Sequence, residues 1–296
     1  MHQQSLPGMA IPPAEKIINV ASVKHRSPFR YPGGKTWLVP RIFQWLESMP
    51  QRPKLFVEPF AGGAITGLTV AFEKLADRVL LVELDEQVAS VWDAIINQGE
   101  GPWLAEQIGA FELSSQNVDD LLSQADLPLK LQAFQTIVKN RISHGGILAE
   151  GSGKIKYGEN GKGIRSRWYP ATLQKRILDI NSIRDCLSFL RADGLEVMRQ
   201  HVDRDDVVFF IDPPYTASSK KPGSRLYNHW QLDHQALFTL AGKAKGDFLM
   251  TYDNVPEVQE MVMQHGLDSE AVAMKNTHHA KLNELLIGRD LAWLRL

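Results

Sequence analysis

The segment "DDVVFFIDPPYTASSKK", residues 205–221, joins a buried-strand pattern to an abrupt stop. Val207 to Ile211 form a continuous β-branched and aromatic run, which is typical of a strand covered on both faces. Pro213 and Pro214 donate no backbone hydrogen bond, so the strand must end there. Asp212 is therefore predicted at the carboxyl end of a central strand, where ligands bind in open α/β sheets. The alternative is a plain Pro-Pro turn in which Asp212 caps the next element.

The same pattern continues on both sides of this strand. Strand-like runs at 54–60 and 78–84 are each followed by a helix-like run, at 66–76 and 86–95. Strands that alternate with helices form right-handed parallel units. We therefore predict a doubly wound, mostly parallel α/β sheet. Its other helices are predicted at 36–49, 194–201, 232–243 and 255–263, and its other strands at 187–193, 247–252, 271–275, 283–287 and 291–295.

Between residues 100 and 185 the alternation of strands and helices stops. Helix-like runs at 102–109, 128–141 and 171–184 surround a glycine-rich stretch, residues 144–170, that is typical of a loop or hairpin. We infer one doubly wound domain that is interrupted by an insertion. The predicted parts are an N-terminal tail, 1–26, the doubly wound domain, 27–99 with 186–296, and the inserted helical and hairpin domain, 100–185.

The composition of the 296 residues is that of an ordinary globular protein, 44% hydrophobic and 23% charged. A single cysteine, Cys186, excludes an internal disulfide and a zinc site built from several cysteines. The histidines show no ligand spacing, so no metal is expected. No apolar run reaches the ~18 residues needed to cross a membrane, and residues 1–26 lack a signal-peptide core. We expect a cytoplasmic monomer with no membrane partner.

The net charge of −1 hides an uneven distribution. Residues 139–176 hold nine Lys or Arg against Glu150 and Glu159, a net of +7, which leaves −8 for the rest of the chain. A basic segment in an otherwise acidic protein indicates a polyanion site. A solvated loop whose charges meet only water would give the same count, so both interpretations remain open.

Gly62 and Gly63 directly follow the strand-like run at 54–60 and precede a helix. Missing side chains would let a ligand lie against the backbone at the helix N-terminus. Glu83 ends the next strand, 20 residues after Gly63, the spacing at which an acid accepts both ribose hydroxyls of a bound nucleoside. The turn is not G-x-G-x-x-G, and a tight structural turn is the alternative. No Lys-Ser or Lys-Thr follows, which favours a cofactor without a triphosphate.

Two further features admit both a functional and a structural interpretation. "FRYPGGKTW", residues 29–37, is either a turn in which Lys35 and free amides hold a carboxylate, or an ordinary Pro-Gly-Gly turn. Asp193 ends the strand-like run at 187–193 and could accept a hydrogen bond from an adenine amino group, or cap the helix that follows.

Together these segments resemble the S-adenosylmethionine-dependent DNA adenine-N6 methyltransferases of the Dam-like D12 class. The order of "RYPGGK", "VEPFAGG", Glu83, the insertion, "DGLEVM" and "DPPY" is similar to that family's motif order. The segments "NRISHGGI" (140–147), "IRSRWYPATL" (164–173), "YNH" (227–229) and "MTYDNVPEV" (250–258) are also similar to it. The resemblance covers residues 27–296, and "DPPY" with the motif order is its specific part.

The resemblance implies a Rossmann-like methyltransferase fold, S-adenosylmethionine as cofactor and double-stranded DNA as partner. It makes 27–99 with 186–296 the catalytic domain and 100–185 the DNA-recognition domain. The implied cofactor-binding residues are Tyr31, Gly34, Lys35, Glu58, Phe60, Gly62, Gly63, Glu83, Leu84, Asp193, Gly194 and Asp212. The implied DNA-binding residues are Arg141, Lys154, Lys156, Lys162, Arg165, Arg167, Lys220, Lys221, Tyr227 and His229.

The resemblance also implies catalytic roles for Asp212, Pro213, Pro214 and Tyr215. The carboxylate of Asp212 and the carbonyl of Pro213 would accept the two N–H bonds of the adenine amino group and aim its lone pair at a sulfonium methyl group. Tyr215 would stack on the flipped-out base. Two alternatives remain: a methyltransferase for another amino nitrogen, such as cytosine N4 or RNA adenine, and a non-catalytic module that binds cofactor and nucleic acid.

Overall fold

The computed structural model describes residues 23–149, 151–214, 231–275 and 281–295, and one seven-stranded sheet lies at its centre. The strands are β1 (Leu55–Glu58), β2 (Arg78–Val82), β3 (Leu187–Leu190), β4 (Val207–Ile211), β5 (Phe248–Asp253), β6 (Asp268–Lys275) and β7 (Lys281–Gly288). Their spatial order is β3-β2-β1-β4-β5-β7-β6. The strands β1 to β5 run parallel, and β7 is antiparallel to both of its neighbours.

Helices cover both faces of this sheet. The described residues form α1 (Val39–Glu47), α2 (Ile65–Phe72), α3 (Glu86–Trp92), α4 (Gly101–Ala110), α5 (Ser115–Leu122), α6 (Leu129–Ile142), α7 (Pro170–Ser182), α8 (Gly194–His201), α9 (His234–Lys243) and α10 (Pro256–Gln264). One core joins Val208 and Phe210 of β4 to α1, α2 and α3, and a second core joins Phe209 and Ile211 to α8, α9 and α10. The predicted doubly wound α/β fold is therefore confirmed. None of the helices in the described ranges is long and apolar enough to span a membrane.

Strand β4 lies at the middle of the sheet, and all five of its side chains are buried. It pairs in parallel with β1 on one side and β5 on the other, so that Phe209 faces Val57 and Phe248. The ladder stops after Ile211, because Pro213 cannot donate to it. Between β1 and β4 the strand order reverses direction, and this switch point opens a crevice at the carboxyl ends of the strands.

The region predicted as an insertion shares a core with one face of the sheet. Its helices pack on α3 and on the π-helical turn Asp93–Asn97 that continues α3. Leu104, Ile137 and Ile177 lie in the same hydrophobic core as Trp92. The helix α5 was not predicted, although its cap is readable, since the Ser114 hydroxyl accepts the N–H of Asn117 at 3.1 Å.

The strand predicted at 291–295 is wrong, because the chain forms a 3₁₀ turn at Ala292–Leu294. The Asp268 carboxylate accepts the N–H of Leu291 at 2.9 Å, and the Asp290 carboxylate accepts the N–H of Ala292 at 2.8 Å. These side-chain acceptors take the place of ladder partners and turn the chain. The other predicted elements form, with boundaries shifted by a few residues.

We expect Gly246→Ala to destabilise the protein. A Cβ atom at Gly246 would lie 1.8 Å from the backbone oxygen of Val207, so the turn before β5 would have to move away from β4. Such overpacking costs about 1–3 kcal/mol or more, which chemical denaturation would measure. Gly242→Ala is the matched control, because a Cβ atom there meets no described heavy atom within 4 Å and alanine favours the helix. Equal losses of stability in the two variants would contradict the packing described at Gly246.

Candidate active site

Five carboxylates follow the five parallel strands of the sheet. Glu58 is the last residue of β1 and Asp253 the last residue of β5. Glu83 follows β2, Asp212 follows β4, and Asp193 lies three residues beyond β3. Parallel strands present their carboxyl ends at one edge of a sheet, which gathers these acids around the switch point between β1 and β4. In the part of the chain that the structure describes, no group of His, Cys, Asp or Glu is arranged to hold a metal ion.

The ammonium group of Lys35 lies between two of the protein's own carboxylates. Its Nζ is 2.9 Å from Oδ1 of Asp212 and 2.9 Å from Oε1 of Glu284, which belongs to β7. The same Nζ donates to the backbone oxygen of Gly33 at 2.9 Å. The hydroxyl of Thr251 on β5 also donates to Oδ1 of Asp212, at 2.8 Å. Two donors thus fix the orientation of the carboxylate that ends β4.

Lys35 stays charged although it is buried. Burial lowers the pKa of its ammonium group, but the carboxylates of Asp212 and Glu284 outweigh burial, and the net shift of the pKa is upward. The turn was predicted either to hold a carboxylate or to be an ordinary Pro-Gly-Gly turn. In the structure, the ammonium group of Lys35 pairs with two carboxylates of the chain itself, those of Asp212 and Glu284.

The Gly62–Gly63 turn is covered by the ring of Tyr31. A Cβ atom at Gly62 would lie 2.5 Å from Cε1 of Tyr31, and one at Gly63 would lie 2.8 Å from its Cβ. Gly62 has a φ of +47° and donates its N–H to Oε2 of Glu83 at 2.8 Å, while its oxygen accepts from Nε1 of Trp92 at 2.9 Å. The ring of Tyr31 by itself therefore requires glycine at both positions, and the prediction that these glycines clear space for a ligand stays a prediction.

Backbone N–H groups donate hydrogen bonds to both oxygens of the Glu83 carboxylate. Its Oε1 accepts the N–H groups of Leu84 and Asp85, each at 2.8 Å, and its Oε2 accepts that of Gly62 at 2.8 Å. Burial raises the pKa of this carboxyl to about 7, and the Asp85 carboxylate adds to the rise, against the lowering by the three N–H donors. A carboxylate accepts about four hydrogen bonds, so one position remains where two ribose hydroxyls were predicted.

Glu58 lies beneath this edge rather than on its surface. The side chain is buried, and Oε2 accepts the N–H of Gly67 in α2 at 2.8 Å. Burial raises the pKa of Glu58 well above its ordinary value, and the carboxylates of Asp212 and Glu83 raise it further. Glu58 was predicted to bind cofactor directly. The structure instead makes it an anchor that holds α2 against β1.

Asp193 and Gly194 begin α8 at the same edge of the sheet. Oδ1 of Asp193 caps the helix by accepting the N–H of Glu196 at 3.1 Å, and the side chain is exposed. A Cβ atom at Gly194 would lie 2.4 Å from the oxygen of Pro59 and 2.9 Å from the ring of Phe60. The helix cap considered for Asp193 is present, and Gly194 allows α8 to approach the turn after β1. Gly34 closes the neighbouring turn by donating its N–H to the oxygen of Tyr31 at 3.3 Å.

The cations predicted to bind DNA differ in their exposure to solvent and in whether they contact acceptors of the protein itself. Arg141 is buried and donates to the backbone oxygen of Pro28, so its placement at a DNA surface is wrong. Lys154 is half-exposed and pairs with Asp119. The side chain of Arg165 is exposed, but its Nε donates to the oxygen of Leu113 at 2.8 Å. Arg167 is half-buried, and Lys156 and Lys162 are exposed. Five predicted residues lie outside the described ranges: Tyr215, Lys220, Lys221, Tyr227 and His229.

Asn140 connects the basic hairpin, which denotes the glycine-rich stretch 144–170, to the turn that carries Tyr31 and Lys35. Its side-chain amide accepts the N–H of Arg30 at 2.9 Å and donates to the oxygen of Arg30 at 2.9 Å. It also donates to the oxygen of Gly146 at 2.6 Å, at the base of the hairpin closed by the bridge between Ser143 and Lys154. The segment "NRISHGGI" stood out in the sequence, but no role was predicted for Asn140.

Two other residues of the site were not predicted. Thr251 lies in the segment "MTYDNVPEV", and Glu284 lies in β7, in "KLNELLIG". The sequence shows Glu284 as a lone acid followed by apolar residues in a strand. A carboxylate that is buried in such a strand needs a partner. Nothing local identifies Lys35 as that partner.

A doubly wound sheet of this kind defines a Rossmann-like α/β domain, a class of fold in which ligands bind at the switch point. Residues 31–137 match the model of the D12 class N6 adenine-specific DNA methyltransferase family. The resemblance found in the sequence is confirmed over this segment, and the match supports a methyltransferase. A search of curated protein sequences found no match.

Solved methyltransferase structures are similar to this chain at low sequence identity and low TM-score. An rRNA methyltransferase from Streptomyces viridochromogenes is 13% identical with a TM-score of 0.39, covering 94% of this chain and 95% of its own. A precorrin-6y C5,15-methyltransferase from Geobacter metallireducens is 10% identical with a TM-score of 0.38, covering 94% and 92%. An rRNA methylase from Streptococcus thermophilus is 13% identical with a TM-score of 0.36, covering 86% and 96%. Similarity at this level does not indicate a substrate.

We expect Lys35→Met to destabilise the protein by about 3–5 kcal/mol, because it leaves Asp212 and Glu284 without their buried cation. The double variant Lys35→Met/Glu284→Gln should recover part of this stability, since it removes one of the two uncompensated charges. Urea denaturation at neutral pH would measure both. Lys154→Met is the matched control, because its ion pair with Asp119 is exposed, and it should cost no more than about 1 kcal/mol. A double variant that is no more stable than Lys35→Met would contradict the coupling.

Proposed function

We propose that this chain is an S-adenosylmethionine-dependent DNA methyltransferase that modifies N6 of a flipped-out adenine in duplex DNA. One observation carries the proposal: the Asp212 carboxylate follows the central strand β4 at the switch point, oriented by Lys35 and Thr251. The match of residues 31–137 to the adenine-specific family supports the choice of base. We further propose that the protein acts as a monomer in the cytoplasm, where its DNA substrate would be.

Asp212 would activate the adenine amino group. The lone pair of that nitrogen is delocalised into the ring, which makes it a poor nucleophile. The carboxylate of Asp212 and the carbonyl of Pro213 would accept the two N–H bonds, so that the nitrogen pyramidalises and its lone pair becomes available. The nitrogen becomes positively charged on methylation, and Asp212 would stabilise that charge and take up the proton.

Pro213 and Pro214 would serve this geometry in two ways. Their rings restrict φ, which holds the carboxylate and the carbonyl in a fixed relation. They also carry no backbone N–H that could bind Asp212 in competition with the substrate. Tyr215 would stack on the flipped base, which must leave the duplex because pairing and stacking hide its amino group.

The strand ends of β2 and β3 would bind the methyl donor. One acceptor position of Glu83 remains for a ribose hydroxyl, and the Leu84 side chain beside it is 39% exposed, an apolar surface that an adenine ring would cover. Asp193 is exposed at the end of the neighbouring strand, so its carboxylate would accept from the adenine amino group. Tyr31, Phe60 and the other predicted residues of the turns would shape the sides of this crevice. Bound S-adenosylmethionine supplies a reactive sulfonium methyl group.

The experiment that tests the proposal is transfer of a tritiated methyl group from S-adenosylmethionine to unmethylated duplex DNA. The product should be digested to nucleosides and separated. Label in N6-methyladenine from DNA is the expected result. Label in N4-methylcytosine, or label acquired only by an RNA substrate, would assign another amino nitrogen. Cofactor and DNA binding without any transfer would identify a non-catalytic module. Each of these last outcomes contradicts the proposed activity.

We expect Asp212→Ala to abolish methyl transfer and to leave cofactor affinity within a few-fold of wild type. Loss of the acceptor removes stabilisation that arises only in the transition state. The matched control is Asp206→Ala, a carboxylate that precedes the same strand at the opposite edge of the sheet and pairs with Arg204. Single-turnover kinetics with a separate binding measurement would test both variants. If Asp212→Ala kept more than about a tenth of wild-type turnover, a loss under ~1.4 kcal/mol, its proposed role would be wrong.

The exposed cations of the hairpin should govern salt-dependent DNA binding. We expect Lys156→Gln/Lys162→Gln/Arg165→Gln to reduce the slope of log affinity against log salt by about 0.9 for each DNA phosphate that the variant no longer neutralises, on cognate and random duplexes alike. A control with equal charge change is Lys54→Gln/Lys243→Gln/Lys245→Gln, whose lysines lie at the opposite edge of the sheet or near it. Fluorescence anisotropy at several salt concentrations would measure the slopes. Equal slopes in the two triple variants would refute the DNA-binding role of the hairpin.

A further inference from the structure

A cavity of about 300 Å³ lies between the N-terminal segment and the helices α2 and α7. It is bounded by the N-terminal segment 24–26, by Phe72 at the end of α2, and by the first turns of α7. The helix α2 begins after β1 at the acidic edge of the sheet and ends at Phe72, before β2 starts. None of the residues that line the cavity is among those assigned to methyl transfer.

Basic side chains dominate the lining of this cavity. Lys24, His25, Arg26, Lys175 and Arg176 all line it, and Asp179 is the single acidic residue in the lining. In the basic segment 139–176, Lys175 and Arg176 therefore lie here and not on the hairpin. In the folded protein they lie around the same cavity as Lys24 and Arg26 of the N-terminal segment.

The nearby carboxylates balance only part of this charge. Arg26 pairs with Glu73, and its guanidinium carbon lies 4.3 Å from the centre of the Phe72 ring. Lys175 pairs with Asp179 at 2.8 Å. Arg176 finds a neutral acceptor, the backbone oxygen of Ser27, at 3.0 Å.

Arg141 adds a further positive charge behind the same segment. It is buried and donates through Nη2 to the backbone oxygen of Pro28, again a neutral acceptor. Its Nε has no hydrogen-bond partner among the described residues. With Lys24, Arg26, Lys175 and Arg176 this makes five cations against the two carboxylates Glu73 and Asp179, a net of +3.

Burial is the main cause of the pKa shifts of these groups, and the neighbouring cations add to it. Burial lowers the pKa of His25 to about 4, and the charges of Arg176 and Arg141 lower it further. Burial likewise lowers the pKa of Arg141 to about 9, with added repulsion from Arg176 and Arg30. An anion placed among these cations would relieve the repulsion between them.

The first turn of α7 supplies neutral donors at the same place. Pro170 is the first residue of the helix, and Ala171 and Thr172 line the cavity. The first intrahelical bond runs from the N–H of Leu173 to the oxygen of Tyr169, so the N–H groups of Ala171 and Thr172 have no acceptor within the helix. The positive end of the helix dipole also favours an anion.

We propose that this cavity binds a phosphate group. The cations at its wall include arginines, whose planar donors suit phosphate oxygens, and lysines, which act as point charges. The volume admits a phosphate with part of the ester that carries it. The group could belong to the backbone of bound DNA or to a free phosphate ester, and the chemistry of recognition is the same for both.

Calorimetric titration of the full chain with inorganic phosphate, against chloride at constant ionic strength, tests the proposal. We expect saturable binding of one phosphate, weakened at least tenfold in Lys24→Gln/Lys175→Gln. Both lysines are exposed, so the variant should fold. The matched control is Lys54→Gln/Lys245→Gln, two exposed lysines outside the cavity that are each paired with an aspartate, and it should bind phosphate as wild type does. No saturable binding, or equal weakening in both double variants, would overturn the proposal.

Duplex DNA distinguishes the two sources of the phosphate. If DNA displaces inorganic phosphate and the salt slope of DNA binding falls in Lys24→Gln/Lys175→Gln, the cavity holds a backbone phosphate. If that variant loses phosphate binding but keeps the wild-type salt slope, the cavity holds a free phosphate ester. Either result supports the site. Neither measurement requires methyl transfer, so the outcome is independent of the proposed enzymatic activity.

Discussion

The ammonium group of Lys35, placed between Asp212 and Glu284, is the contact on which the geometry of the acidic edge depends. It joins three distant parts of the chain: the turn before α1, the end of β4 and the antiparallel strand β7. Buried ion pairs contribute little net stability, because desolvation offsets their attraction. The main effect of this contact is therefore to fix the positions of the Asp212 and Glu284 carboxylates. Without the cation, Asp212 and Glu284 would repel each other, and the hydrogen bond from Thr251 would have to hold the carboxylate against that repulsion.

The fold was predictable because each of its signals is local. The five buried residues of β4, the two prolines after it and the alternation of strands and helices all read directly from the sequence. The acids at strand ends followed from the same reasoning. The partners of Asp212 did not, because they depend on strand order: Thr251 lies one strand away and Glu284 two strands away, through an antiparallel pairing of β5 with β7 that no local pattern specifies.

The glycine-rich turns show that glycine can be required by a neighbouring side chain of the protein itself. Glycine indicates that another group approaches the backbone closely, but the sequence does not say which group. At Gly62 and Gly63 that group is the Tyr31 ring, and at Gly194 it is the turn at Pro59 and Phe60. The ring of Tyr31, from the segment that carries Lys35, thus covers the turn after β1. Asn140 then fixes that segment to the basic hairpin through the backbone of Arg30, so the hairpin and the acidic edge share one rigid connection.

Counting charges along the sequence located a basic segment but overstated what it offers to one ligand. Arg141 and Arg176 bind backbone oxygens of the N-terminal segment, and Lys154 is paired with an aspartate. What matters to a polyanion is the charge that the protein's own acceptors leave uncompensated, at a place a ligand can reach. By that criterion the segment divides in two: exposed hairpin cations such as Lys156 and Lys162, and the cations that line a cavity together with Lys24 and Arg26. Folding thus divides one run of positive charge between two separate groups of cations.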